Sequence, residues 1–270
     1  LFVTDSATPS EQADGTEPGD QYDNPYIIGN ASELDRAFYA YPLEPPFDFW
    51  AWLVEAFPRH ASLRIVELGS RSVCSKSVLK LHVEQHHPLA QYTGVDIYPG
   101  EGVDLVCDVH HLSSAIAEGS VDVIFSSAVF EHLAMPWLVA EEIAKTLRPG
   151  GHAFIYTHFS FGEHEMPWHF FQFNSKGLEV LFNKTLGFKV IHSGKTLPMI
   201  GRFAHDNPPS LAGKPIGHLY CSSWIHAQRE AQVPPPSQAA SAFDWRRALP
   251  DVLGDTIYPP NTGLSKGEAR

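Results

Sequence analysis

Histidine is the first chemistry visible in this sequence. Fifteen are present, and the segment HFSFGEHEMPWHFF sets His158, His164 and His169 among Glu163, Glu165 and Trp168, with Glu131-His132 upstream. A neutral imidazole near pH 7 accepts a proton and also holds a polar ligand by hydrogen bonding. His158 and His132 each follow an apolar run read as a strand, which makes them the candidate proton acceptors. His164, Trp168 and His169 are candidate substrate contacts on the same rim. Any one of these histidines alone reads more simply as a hydrogen-bonded rim residue; the group is what suggests a substrate. Three imidazoles and a carboxylate could also ligate a divalent ion. The spacings between His158, His164 and His169 fall on a presumed loop and match no standard ligand pattern, so no metal is expected.

A second set of residues closes successive apolar runs. Glu67, Gly69 and Ser70 follow LRIVEL, Asp96 and Ile97 close YTGVDI, Asp108 and Val109 follow VDLVCDV, and Ser126 and Ser127 end VDVIFSS. In a doubly wound sheet, ligands sit outside the carboxyl ends of the strands. The first strand-to-helix turn presents backbone N–H groups there, and an acid ending the second strand accepts hydrogen bonds from ribose hydroxyls. Asp96 and Asp108 could equally be helix caps. Together the set points to an adenosine-containing ligand. No second or third glycine follows Gly69 in a GxGxxG pattern, which disfavours a nicotinamide or flavin dinucleotide. No GxxxxGK[ST] loop occurs either, which removes the usual cradle for phosphoryl transfer.

The elements that must position these residues alternate between strand and helix patterns over about 61–228. The strand-like runs are LRIVEL, YTGVDI, VDLVCDV, VDVIFSS, HAFIYTHF, FKVIHSG and HLYCSSWIHAQ. Helical spacings occur in VCSKSVLKLHVEQ, WLVAEEIAKTL and SKGLEVLFNKTLG. Strands separated by helices argue for an α/β fold, a mostly parallel seven-stranded sheet with helices on both faces. Asp48 is placed to cap a helix over FWAWLVEAF that ends before Pro58. The organisation expected is an acidic tail over 1–25, a helical leader over 26–60 and a main domain over 61–230. Insertions fall near 158–174 and 196–217, the second a long Pro- and Gly-containing loop, and 231–270 is a Pro-rich linker and tail.

Composition excludes several classes. Nineteen Lys and Arg against 31 Asp and Glu give a net charge of −12, so no whole-molecule positive field draws in nucleic acid or an anionic membrane. No run approaches the about 18 apolar residues needed to cross a bilayer. Cys74, Cys107 and Cys221 fit neither a disulfide framework nor a zinc motif, and a cytoplasmic setting is expected.

The order VELGS, GVDI, CDVHHL, SVDVIFSSAVFEHL and LRPGG resembles the class I S-adenosylmethionine-dependent methyltransferases, in particular their small-molecule group. The resemblance covers roughly residues 61–192 and implies a Rossmann-like doubly wound sheet with S-adenosylmethionine as cofactor. It implies that Glu67, Gly69 and Ser70 form the turn under the cofactor, Asp96 and Ile97 lie at the ribose, and Asp108 and Val109 at the adenine. Ser126 and Ser127 would lie beside the methionine portion. Arg71 and Val73 stand where the family has further glycines. Related quinol methyltransferases carry an E-x-x-E-H metal motif after the fourth strand, and here Ala128 occupies its first position. The function implied is methylation of a small molecule, at a hydroxyl of a sugar or secondary metabolite. The alternatives are a methyltransferase-like domain that binds without turnover and an N-methyltransferase of protein or RNA.

Overall fold

The computed structural model describes residues 47–72 and 78–230. The expected tail over 1–25, the leader before Phe47, Cys74 and the segment 231–270 lie outside the described residues. The strands are β1 (Arg64–Leu68), β2 (Gln91–Asp96), β3 (Leu105–Val106), β4 (Val121–Ser127), β5 (Leu147–His158), β6 (Phe188–Arg202) and β7 (Pro215–Arg229). They form one sheet in the order β3-β2-β1-β4-β5-β7-β6, with β7 antiparallel to both its neighbours and the other pairs parallel. This is the Rossmann-like α/β sheet the sequence implies. Because β1, β2, β4 and β5 run in parallel, their carboxyl ends share one edge.

Side-chain alternation along the strands builds two apolar layers. Ile65, Val123, Phe125 and Phe154 face one way and pack with Phe49 and Leu53 of α1 (Phe49–Ala56) and Leu79 and Val83 of α2 (Val78–His86). Val66, Leu68, Ile124, Ala153 and Ile155 face the other way. There they meet Val139, Ala140, Ile143 and Ala144 of α3 (Pro136–Thr146) and Leu178 of α4 (Ser175–Leu181). The spacing of those α3 residues makes one apolar face, and Pro136 opens the helix where its missing N–H is harmless. At the head of α1, Asp48 Oδ1 accepts from the N–H groups of Trp50 and Ala51, each at 3.0 Å, as its position before an apolar run suggests.

Four elements differ from their sequence reading. The strand expected over VDLVCDV is only Leu105–Val106, because Asp108 turns the chain into a 3-10 segment, Val109–Ser114, by accepting from His110 N at 3.0 Å. The helix expected over SKGLEVLFNKTLG stops at Leu181. Asn183 then competes for the backbone, accepting from Leu186 N and donating to Val180 O, and a 3-10 turn follows over Lys184–Leu186. β5 begins at Leu147 and includes RPGG, since Leu147 already pairs with Val121 before a bulge. The long loop near 196–217 is shortened to 203–214, because β6 runs to Arg202 and β7 starts at Pro215, the two pairing as a β-ribbon. Pro198, Gly194 and Gly201 conceal its alternation in the sequence. Gly194 is required there, because a Cβ would come 2.7 Å from the ring of Trp224 on the paired strand. No helix among the described residues is long and apolar enough to cross a membrane.

Candidate functional site

The first part of the site forms at the ends of β1, β2 and β4. Gly69 follows β1 with φ +78°, the left-handed region that favours glycine, and a Cβ there would come 2.2 Å from Val129 Cγ2. The N–H groups of Gly69 and Ser70 donate to Val95 O at 2.8 and 3.1 Å, which locks the turn against β2. Ser70 and Ser126 are buried beside this turn, and neither hydroxyl has a hydrogen-bond partner. Buried hydroxyls next to a tight glycine turn are groups that a polar ligand can satisfy. Ser127, next along β4, is half-buried.

The three expected acids lie along the same edge, each already engaged. Glu67 is buried and accepts from the hydroxyl of Tyr92. Asp96 accepts from Tyr98 N at 2.9 Å and from Arg71 N at 3.3 Å, and Arg71 Nε lies 3.6 Å from its Oδ1. The Arg71 guanidinium sits over the Tyr98 ring at 5.5 Å, so Arg71 closes over the acid expected at the ribose. Ile97 follows at half-burial. Asp108 stands not at a strand end but as the cap of the 3-10 segment, with His110 Nδ1 2.8 Å from its Oδ1. Val109 behind it is buried in the core.

The second part lies at the ends of β4 and β5. After β4 the chain turns at Ala128, whose φ is +53°, into a 3-10 turn over Phe130–His132. This drives Glu131 inward to 0% exposure. Its Oε2 accepts from Thr157 Oγ1 at 2.7 Å, and its backbone carbonyl accepts from Phe170 N at 2.8 Å and Phe171 N at 3.2 Å. The 158–174 segment is thereby fastened over the end of β4. Glu131 Oε1 is buried with no donor in hydrogen-bonding geometry, although His158 Nε2 stands 3.2 Å away and His132 Nε2 3.9 Å.

The other histidines gather around that oxygen. His132 donates from Nδ1 to Trp168 O at 2.8 Å, and His164 from Nδ1 to Gly162 O at 3.0 Å. A carbonyl only accepts, so both rings carry their proton on Nδ1 and present Nε2 inward. The His164 ring lies 4.9 Å from that of His132, 5.2 Å from that of His158 and 4.6 Å from that of His169. His169 Nδ1 accepts from His164 N at 3.3 Å. Burial lowers the His169 pKa below the ordinary histidine value, with His164 and His132 adding to the effect. His158 stacks on Phe161 at 4.3 Å. Glu165 Oε2 stands 3.8 Å from His132 Nε2.

His132, His158, His164 and His169 therefore do converge. The Trp168 ring, expected to touch a substrate, is instead only 4% exposed and packs near Phe170; its contribution is the carbonyl that orients His132. Glu131 and Thr157 were not among the expected site residues. The sequence signals for Glu131 were an acid inside the apolar run AVFEHL directly after a strand and its match, with His132, to the last two positions of the E-x-x-E-H motif whose first position is Ala128 here. At the opposite end of the strands, Phe57, Ala61, Arg64, Gln91, Asp122 and Arg148 line an open depression of about 590 Å³. Asp122 there holds Arg64 N and pairs with Arg148, so that depression contains a satisfied ion pair and no converging reactive groups.

Comparison with known proteins gives matches over part of the chain. The profile of a family described as a methyltransferase domain matches residues 73–155. An uncharacterized methyltransferase of Mycolicibacterium gilvum (strain PYR-GCK) is 39% identical over 88 residues, 28% of this chain and 34% of that protein. One of Mycolicibacterium vanbaalenii is 49% identical over 53 residues, 18% of this chain and 21% of that protein. The chain thus spans about a third or less of the length of these curated relatives. Among solved structures, a SAM-dependent methyltransferase from Archaeoglobus fulgidus superimposes with a TM-score of 0.46 at 14% identity, over 67% of this chain and 92% of that one.

Proposed function

We propose that the chain carries a class I S-adenosylmethionine-dependent methyltransferase domain, on its match to a methyltransferase domain over residues 73–155, and that it methylates a small-molecule acceptor at a hydroxyl of a sugar or secondary metabolite. The observation that carries this reading is the shared edge. The Gly69 turn, with the partnerless hydroxyls of Ser70 and Ser126, borders the same strand ends as the cluster of Glu131, His132, His158 and His164. A cytoplasmic setting belongs to this reading, the three cysteines having no disulfide-framework spacing.

The residues present fit the cofactor. A Cβ at position 69 would fill the turn, and the two buried hydroxyls lack partners that a polar ligand supplies. Glu67, Gly69, Ser70 and Ser126 would hold it at the methionine end, with Ser127 beside them. Asp96, Ile97, Asp108 and Val109 would flank its nucleoside, Asp96 in company with Arg71. When bound, the cofactor would supply a methyl group on a sulfonium, activated for transfer to the acceptor oxygen with S-adenosylhomocysteine as the leaving group.

This chain's own groups align the acceptor and accept its proton. An aliphatic hydroxyl is a weak nucleophile until deprotonated, and a positioned base contributes ~10² to 10⁴ in rate. The acceptor docks at the histidine cluster, where His158 and His132 stand at the ends of β5 and β4. His164 and His169 wall the acceptor from the 158–174 segment. An amine acceptor, being nucleophilic already, makes less use of such a cluster, which favours the hydroxyl.

The test is S-adenosylhomocysteine production with a panel of hydroxylated small molecules. Once an acceptor is found, His158→Ala and His132→Ala are expected to lower kcat on the order of 10²-fold with cofactor affinity nearly unchanged. If neither variant costs more than about threefold, alignment alone or an amine acceptor replaces this reading.

A further inference from the structure

At the ends of β4 and β5 a buried carboxylate oxygen faces a group of imidazole nitrogens. Glu131 is fully buried, and its Oε1 has no hydrogen-bond donor. The atoms facing it are imidazole nitrogens, His158 Nε2 at 3.2 Å and His132 Nε2 at 3.9 Å. His132 and His164 spend their Nδ1 protons on backbone carbonyls, so in the neutral rings each Nε2 is a lone pair. A carboxylate oxygen and lone pairs converging on one buried point repel one another, and low local dielectric makes the conflict worse. A cation at that point removes it. One ligand atom from each of Glu131, His158 and His164 lies within 4.8 Å of the others, close enough to share one ion after small side-chain adjustments.

Resting on the reading that this cluster receives the acceptor, we propose that Glu131, His158 and His164 form a binding site for a divalent transition-metal ion. Two imidazoles and one carboxylate suit zinc or a neighbouring first-row ion, whereas magnesium prefers oxygen ligands and retains its waters. The outer contacts are those that metal ligands need. Thr157 Oγ1 holds the far oxygen of Glu131, and Gly162 O fixes the His164 ring so that Nε2 is the free nitrogen. Three protein ligands leave a position open for the acceptor oxygen, which a bound cation orients and makes more acidic, its proton passing to His132, which stays outside the ligand set. His158 is then a ligand to the cation that activates the hydroxyl.

The sequence alone argued against this site. Its ligands come from three separate segments: the turn after β4, the end of β5 and the 158–174 segment. Only the pairing of β4 with β5 brings the first two together.

The experiment is calorimetric titration of zinc chloride, and separately magnesium chloride, into the full chain freed of metal by chelation, with no cofactor present. One zinc ion per chain is expected, with magnesium binding at least about 100-fold weaker. His164→Ala should weaken zinc binding on the order of 100-fold, while His169→Ala, in the same cluster but outside the ligand set, leaves it within about threefold. His164 lies on the partly exposed 158–174 segment, and circular dichroism checks that the variant is folded. Absence of zinc binding, or zinc binding that His164→Ala and Glu131→Gln both leave unchanged, overturns the proposal. S-adenosylhomocysteine titrated into the same preparation separates the two readings: if it binds and zinc does not, the metal site fails and the methyltransferase reading stands.

Discussion

Thr157 Oγ1 donates to Glu131 Oε2 at 2.7 Å, with both side chains fully buried. Glu131 is thereby anchored through one oxygen, while the other faces His158 Nε2. A hydrogen bond to a charged group contributes about 1.5 to 3 kcal/mol. Thr157→Val, which keeps the shape and removes the donor, should lower unfolding free energy by about that amount in urea at pH 7. Thr157→Ser should retain most of it. A Thr157→Val midpoint equal to that of the parent would mean that Glu131 is not held as a buried acceptor.

At Gly69 the φ of +78° and the 2.2 Å approach of a Cβ to Val129 Cγ2 act together. Gly69→Ala should cost at least about 1 to 2 kcal/mol of stability from the left-handed backbone alone. Its affinity for S-adenosylhomocysteine should fall more than tenfold by calorimetry, a loss of over about 1.4 kcal/mol. Gly69→Ala combined with Val129→Ala relieves the contact but not the backbone, so only part of the stability should return. Full recovery would place the whole effect in side-chain crowding.

His152 and His226 face each other across the β5–β7 pair, Nδ1 to Nε2 at 2.8 Å, and His226 stacks on Phe154 at 4.0 Å. Burial lowers the pKa of His152 to about 4, with Arg148 adding to it, and that of His226 to about 3, with His152 and His192 adding to it. The unfolded chain takes up protons here as pH falls through the ordinary value of about 6.5, and the folded chain does not. The stability these neutral rings permit is complete above that value and declines as pH falls from about 6.5 towards 4. Urea midpoints at pH 7.5, 6 and 5 should therefore decrease, and His226→Phe should flatten the decrease. Equal slopes in parent and variant would remove this pair as the cause.

Asp48 caps α1 through Trp50 N and Ala51 N, and that helix seats Phe49 and Leu53 on the sheet. Asp48→Ala should cost typically ~1 kcal/mol, measured by urea denaturation, and Asp48→Asn should recover most of it.

Local signals were legible in the sequence wherever one element decides the outcome. Asp48 before an apolar run, the continuous apolar runs of β1 and β4, and the helical spacing of WLVAEEIAKTL in α3 each act within a few residues. The Gly69 turn was legible for the same reason, since a glycine after a strand is a local requirement. What escaped was set by distant partners. The β6–β7 ribbon is held by pairing between strands that prolines and glycines disguise, and the anchoring of Glu131 by Thr157 depends on β5 lying beside β4. Asp108 was misplaced at a strand end because its own side chain ends the strand early by capping the next turn.

The central claim is that the turn at Gly69 and the strand ends around it bind S-adenosylmethionine and its product. Calorimetric titration of S-adenosylhomocysteine into the full chain tests it without knowledge of the acceptor. Micromolar affinity is expected, about −8 kcal/mol, falling on the order of tenfold in Asp96→Ala, which loses the acceptor beside Arg71. No detectable heat of binding by the folded protein, or binding that neither Asp96→Ala nor Gly69→Ala weakens, would contradict it.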